Sequence, residues 1–429
     1  MPPQISFYAH NRNWSRSLIV QTILCVTFGA LAPSALYFLG DLHQLFGNRP
    51  ALITLLASAI SIAGGIVFTS KVNQYPGVRQ LGSVVPGFCF AYGIVALIIL
   101  AARLEYSVSL LLINLLCSSA VYVLLVVHAV RADKSRYYTV PGGKVTRLKE
   151  FGIASTPLSE PALPATERSI IVADLHRDME HYWERMLAEA AIRGIPVFHY
   201  KQLYEAATGK VRIEHLSENS FGALIPNMSY IRMKRVVDTC IAILAVPFLI
   251  IPFLVVSVLI KIDSPGPVLF FQERFGYKGK IFRVVKFRTM MSSTDITITS
   301  EDLRLSSMTS ENDPRITRVG SFLRRTRIDE LPQIFNIIAG QMSWIGPRPE
   351  ALNLSRWYER EIPFYSYRHI VRPGVTGWAQ VNQGHVTDLV EIGEKLQYDF
   401  YYIKYFSGWL DVLIFLRTFK VVFMGIGAK

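Results

Sequence analysis

Four long apolar runs crowd the first 130 residues, over 17–39, 51–70, 84–102 and 108–130. Each approaches the ~20 residues that a helix needs to cross a hydrocarbon core. One soluble domain has little room to bury four such runs so close together, so they predict four transmembrane helices. The 51% hydrophobic content of the 429 residues is concentrated here and in one later stretch. The loops predict an orientation. Arg12 and Arg16 precede the first run, Lys71 and Arg79 separate the second from the third, and Arg131, Lys134 and Arg136 follow the fourth. The other two loops are balanced, Asp41 against Arg49 and Arg103 against Glu105. Basic loops remain cytoplasmic, which puts both ends of the bundle inside.

The four cysteines, Cys25, Cys89, Cys117 and Cys240, each fall in an apolar run with no CxxC spacing, so small buried hydrophobes are expected. The net charge of +13 suits anionic lipid or phosphorylated substrates. No basic helix with interleaved aromatics points to nucleic acid, and none is expected as a partner.

The division expected is a transmembrane domain over 1–133, a linker over 134–168 rich in Pro and Gly, a small α/β module over 169–230, and a last domain over 231–429. The module reads as one βαβ unit, with strands at Ser169–Ala173 and Ile195–His199 around a helix at His181–Arg193. It has no GxGxxG and is assigned no ligand.

A fifth apolar run, 236–260, has Arg232, Lys234 and Arg235 before it and Lys261, Arg274, Lys278, Lys280 and Arg283 after it. A spanning helix would put one of these basic clusters outside. Pro247 and Pro252 interrupt the run, and proline removes a helical hydrogen bond. Both facts predict a re-entrant helix broken at Pro252, returning to the side it came from.

From residue 231 onward the chain holds 26 basic and 18 acidic residues, a net of +8. Lys286, Arg288, Arg324, Arg327, Gln333, Arg348 and Arg372 are the candidate phosphate and substrate contacts, since guanidinium binds phosphate through paired hydrogen bonds. Among them sits Asp329-Glu330-Leu-Pro332-Gln333, with Pro332 fitting a first helical turn and Gly340 its end. A carboxylate pair held ionised there by arginines can attack phosphorus or hold Mg²⁺. Gly346-Pro-Arg-Pro349 is a stiff turn presenting Arg348. No Asp-x-Asp sequence, the metal site of one common glycosyltransferase type, is present.

Several segments carry a resemblance. They are KRVVD (234–238), SPGPVLFFQERFG (264–276), FRVVKFRTM (282–290), the 39-residue block 311–349 around Asp329, and RPGVTGWAQVN (372–382). In this order they resemble the bacterial sugar transferase family, the monotopic polyprenyl-phosphate phosphoglycosyl transferases. Four helices and a small module in front are similar to its longer members, including glucose and galactose phosphotransferases. The resemblance implies a mainly α membrane protein with an α/β catalytic domain, a re-entrant helix and interfacial helices. It implies a UDP-sugar donor, an undecaprenyl phosphate acceptor, Mg²⁺, UMP release and a covalent aspartyl-phosphosugar intermediate. The reaction would initiate exopolysaccharide, capsule or O-antigen assembly at the cytoplasmic face of a bacterial inner membrane. Asp329 matches the nucleophile, Glu330 the acid/base partner, both the metal site, and Arg324 and Arg348 arginines near it. The chain departs from the family in Ile251, where a Ser precedes the helix-breaking proline, and in Gln341, where many members have Asp. Neither the sugar nor the oligomeric state is fixed, and a homodimer is compatible with the sequence.

Overall fold

A computed structural model describes residues 17–423 except 77, 79, 133–135, 165–168, 214–225, 227, 292–314 and 385–387. Arg12, Arg16, Arg79, Lys134 and residues 311–314 of the block around Asp329 lie outside the described residues. The chain forms two compact units, Met1–Gly209 and Lys210–Lys429.

The first unit begins with four apolar helices: α1 (Leu18–Tyr37), α2 (Arg49–Val72), α3 (Leu81–Ala101) and α4 (Val108–Arg131). Counting the long helix of the second unit, five helices among the described residues are long and apolar enough to cross a membrane. Where lipid surrounds a bundle, helices associate through close packing and polar contacts rather than a hydrophobic drive. The interior here follows that rule. Asn114 on α4 donates to Ser58 on α2 at 3.1 Å and to Ser34 on α1 at 3.3 Å. Gly29 lies so close to Ser118 that a Cβ would come within 2.5 Å of its Cα. Cys25 is buried as expected, but Cys89 and Cys240 are exposed on outward-facing helix surfaces, where lipid rather than protein would cover them.

After the bundle come four strands, β1 (Arg136–Thr139), β2 (Ser155–Pro157), β3 (Ser169–Ala173) and β4 (Val197–His199), in one sheet of order β2-β1-β3-β4. All adjacent pairs are parallel. The helix α5 (His181–Ile192) joins β3 to β4, and α6 (Tyr200–Thr208) follows. Thus the expected βαβ unit is present within a larger sheet. The segment read as a linker supplies β1 and β2, two strands too short and too closely flanked by Pro and Gly to stand out as periodic sequence. β3 is buried along its whole length, which is why SIIVA is apolar throughout.

The second unit begins with α7 (Met228–Asp263), a continuous helix of 36 residues containing Pro247 and Pro252. Its inner face packs on the rest of the unit along its length. Ala242, Phe282, Val284, Ile334, Ile337 and Met342 form one apolar cluster, and Val256, Ile260, Phe287 and Leu323 form another. Phe253 between them stands edge-on to Phe287 and Phe335. At the start of α7, Lys234 pairs with Asp411 at 2.8 Å, and Asp238 accepts from Ser343 at 2.6 Å. Beyond Asp238 the other face is apolar and open, with Phe248 82% and Ile251 72% exposed.

The antiparallel hairpin β5 (Leu269–Phe275) and β6 (Ile281–Phe287) follows, then α8 (Arg318–Arg325), a 3₁₀ segment at Ile328–Gln333 and α9 (Ile334–Ile338). Two short parallel strands, β7 (Ser343–Ile345) and β8 (Gly374–Thr376), sit between further helices, which end with α10 (Leu389–Lys404) and α11 (Gly408–Phe423). The molecule is therefore the mainly helical, membrane-associated α/β protein that the sequence predicts.

Candidate active site

Three elements bring the predicted carboxylates and cations together. The first is the 3₁₀ segment Ile328–Gln333, which carries Asp329 and Glu330 in its first turn. Arg327 before it adopts a left-handed φ of 60°, turning the chain sharply out of α8. Asn336 then fixes α9 to β6. Its side chain accepts from the Val285 amide at 3.0 Å and donates to the Arg283 carbonyl at 2.7 Å, imitating a neighbouring strand. Its amide also donates to Gln341 Oε1 at 2.7 Å. Gln341, a departure from the family pattern, thus serves here as the acceptor for Asn336. The helix ends at Gly340, φ +80°, as the sequence predicts.

The second element is β6, which supplies Lys286. Its Nζ lies 3.1 Å from Glu330 Oε1. The third is the Gly346–Pro349 turn. Arg348 places its guanidinium fork on Glu330, with Nη1 3.1 Å from Oε2 and Nη2 in contact with Oε1. A Cβ on Gly346 would sit 2.4 Å from the Arg372 carbonyl, so only glycine allows this turn to lie against the β8 segment.

Glu330 and Asp329 are both buried, at 7% and 8% exposure, yet their electrostatics diverge. Burial would raise the Glu330 pKa, but Arg348 and Lys286 outweigh it and hold the carboxyl well below its usual range. Asp329 makes no ion pair within 4 Å among the described residues. Burial and then the neighbouring Glu330 charge raise its pKa, while Lys286, Arg348 and Arg324 oppose the rise. The expectation that arginines hold both carboxyls ionised therefore fits Glu330 and meets a counter-effect at Asp329. Burial also lowers Lys286 to about 8, with Glu330 opposing and Arg348 and Arg274 reinforcing. The pair thus divides into one anchored anion and one more basic, unpaired carboxylate.

The other candidates have distinct places. Arg324 donates from Nε to Thr289 at 2.9 Å and contributes its charge to Asp329. Arg327 contributes to Glu330. Gln333 is buried in the same 3₁₀ segment. Arg288 is committed to the Ser264-Pro265 turn, donating to the Ser264 carbonyl at 2.7 Å and the Pro265 carbonyl at 2.8 Å. Arg372 donates to the Gly340 carbonyl at 3.0 Å and covers the Tyr277 ring. It lines a cavity with Lys234, Arg235 and Asp238 rather than joining the Glu330 cluster. Pro252, where the sequence predicts a break, lies inside α7, which runs on as one helix through it.

Sequence reasoning missed the support behind Arg348. Arg368 donates to the Arg348 carbonyl at 2.8 Å and pairs with buried Asp399 at 2.9 Å. Arg274 donates to the next carbonyl, Pro349. Two guanidiniums thus hold successive carbonyls of the turn. Arg274 lay inside a recognisable segment, but Arg368 and Asp399 carry no local signal.

Two adjacent carboxylates are the hard oxygen donors that Mg²⁺ takes, and Mg²⁺ commonly completes its shell with substrate phosphates and water. Glu330 is already occupied by two cations, so the donor set fits the ion mainly through Asp329.

The profile of the family described as "Bacterial sugar transferase" matches residues 229–425. The UDP-N-acetylgalactosamine-undecaprenyl-phosphate N-acetylgalactosaminephosphotransferase of Aeromonas hydrophila is 40% identical over 362 residues, 83% of either chain. The UDP-glucose:undecaprenyl-phosphate glucose-1-phosphate transferase of Xanthomonas campestris is 43% identical over 191 residues, 44% of this chain and 38% of that protein. An exopolysaccharide production protein of Rhizobium leguminosarum is 41% identical over 191 residues, which make up 92% of its own length. The chain is a membrane-associated transferase of the polyprenyl-phosphate phosphoglycosyl transferase class. It belongs to the bacterial sugar transferase family.

Proposed function

We propose that the chain transfers a sugar-1-phosphate from a UDP-sugar to undecaprenyl phosphate, releases UMP and so initiates a bacterial surface glycan. The observation that carries the mechanism is the asymmetry of the carboxylates. Asp329 is buried, unpaired and more basic than an ordinary aspartate, as a nucleophile should be. Its oxygen attacks the β-phosphorus. The bond from that phosphorus to the bridging oxygen breaks, and UMP leaves with the oxygen. An oxygen of the lipid phosphate then attacks the same phosphorus and expels the Asp329 carboxylate. Lys286 and Arg348, held by Glu330, face the charge that builds on the phosphoryl oxygens. In this arrangement Glu330 serves as an anionic anchor for the two cations, which favours that role over proton transfer.

Bound Mg²⁺, held by Asp329 with Glu330 beside it, would neutralise diphosphate charge. Exhaustive chelation at saturating substrate should therefore abolish turnover, and Mg²⁺ should restore it. Full activity after chelation would remove the metal from this reading.

For the sugar, the similarity to the Aeromonas enzyme supports N-acetylgalactosamine, because it extends over 83% of both chains. The glucose-1-phosphate transferase of Xanthomonas campestris matches over 44% of this chain. Purified enzyme with undecaprenyl phosphate should release UMP fastest from UDP-N-acetylgalactosamine in a panel with UDP-glucose, UDP-galactose and UDP-N-acetylglucosamine. UDP as the product would reject the phosphosugar transfer itself.

We place the protein in the inner membrane with its catalytic unit cytoplasmic and α7 re-entrant. A 36-residue helix is about 54 Å long if straight, far more than the ~30 Å hydrocarbon core. A spanning helix would carry one end away from a domain on one side. In α7, Lys234 near one end and Ile260 near the other both pack on the same unit, which supports entry and return on one face. Ser229 and Lys280 are exposed flanking positions. In a cysteine-free background, Ser229→Cys and Lys280→Cys should both resist an impermeant thiol reagent in intact cells and react after permeabilisation. Labelling of one alone in intact cells would make α7 a true span.

A further inference from the structure

The parallel sheet of the first unit carries a cluster that the transfer reaction does not use. In parallel sheets, ligands gather at the carboxyl ends of the strands. Asp174 directly follows β3, His176 lies two residues on, and His199 is the last residue of β4. Their donor atoms all lie within 4.8 Å of one another. His199 Nε2 is 3.6 Å from Asp174 Oδ1 and in contact with His176 Nδ1.

We propose that Asp174, His176 and His199 form a divalent transition-metal site of the zinc type. Two imidazoles and a carboxylate are borderline-to-hard donors that suit Zn²⁺ or Co²⁺. Ligand bonds of roughly 2.0–2.2 Å to a shared ion put donor atoms about 3.3 Å apart in a tetrahedron. The His199–Asp174 pair at 3.6 Å is close to this, while the two imidazoles would have to part to admit the ion. The carboxylate is held from behind, since Asp174 Oδ2 accepts from the Lys144 amide at 3.2 Å. That loop reaches it only through Gly143, φ +66°, where a Cβ would stand 2.5 Å from Asp174 Oδ2. Such an outer partner fixes a ligating carboxylate. His199 is buried and His176 exposed, so the ion would sit at the surface with a fourth position open to water or to a ligand.

One contact must change. His199 Nδ1 accepts from the Lys201 amide at 3.0 Å, at the start of α6. In a neutral ring this places the proton on Nε2. Metal at Nε2 requires the other tautomer, so the Lys201 amide gives up that acceptor. Ion binding would thereby be felt in the first turn of α6.

The test uses full-length protein in detergent, stripped with chelator and dialysed against Co²⁺. Wild-type protein should hold a Co²⁺ ion with the ligand-field bands of a four-coordinate site, and Zn²⁺ should displace it. His176→Ala removes an exposed side chain with little risk to folding, and should weaken binding at least ~100-fold. Asp329→Asn should leave these bands unchanged, separating this site from the catalytic carboxylates. Absence of the bands in wild-type protein would overturn the proposal. So would equal binding by His176→Ala, or loss of the bands in Asp329→Asn alone.

Discussion

Asp329→Asn should lower turnover by about three orders of magnitude or more, because an amide cannot form the acyl phosphate. The sharper result comes before any lipid is added. Wild-type enzyme given UDP-sugar alone should release up to one UMP per active site and gain the mass of a sugar phosphate. Asp329→Asn should do neither. A single-step transfer needs both substrates together and leaves nothing on the protein. If the wild type stays unmodified without lipid and the Asn variant still turns over, the nucleophile is not Asp329. The same carboxyl should set the acid limb of the pH profile. Its pKa is raised by burial and by Glu330, and only its ionised form attacks. Activity should therefore fall with decreasing pH earlier than an ordinary aspartate would dictate.

Arg348→Ala should cost about 10²–10³-fold in kcat, the range for removing one charged or hydrogen-bonding stabiliser of a transition state. The variant also strips Glu330 of its two-pronged partner, leaving Lys286 to hold a buried carboxylate. About 1–3 kcal/mol of stability should go with it. Arg348→Lys keeps the charge and restores much of that stability, but one ammonium cannot reproduce the fork, so catalysis should recover poorly. Thermal unfolding measured beside kcat separates the two losses. Turnover of Arg348→Ala close to wild type would exclude Arg348 from the transition state.

Much of this site was legible because its members lie in continuous segments. Asp329 and Glu330 share one turn, Lys286 lies in a basic strand, and Arg348 in a turn whose prolines and glycine mark it in the sequence. The apolar helices were legible for a similar reason, since length and composition alone mark them. What sequence could not supply was the partner of each charge. Arg288 and Arg348 look equally suited to phosphate in one dimension. Only folding turns Arg288 onto the carbonyls of Ser264 and Pro265, and Arg348 onto Glu330. Opposite behaviour in two adjacent carboxyls also has no sequence signature, because it arises from cations delivered by β6 and by the 346–349 turn. The strands at 136–139 and 155–157 were hidden by shortness, and the Asp174–His176–His199 cluster by distance along the chain.

The packing of α7 has a consequence for how substrates meet. One face of this helix is a wall of the catalytic core, through Ala242, Val256 and Ile260, and the other offers Phe248 and Ile251 outward. With that outward face in lipid, the membrane sets the depth of the core as a float sets the draught of a hull. On the proposed reaction, the lipid-borne phosphate would then come to the core along the membrane. The proposed nucleotide sugar is water-soluble, so on this reading the two substrates come from different phases and need not share an entrance.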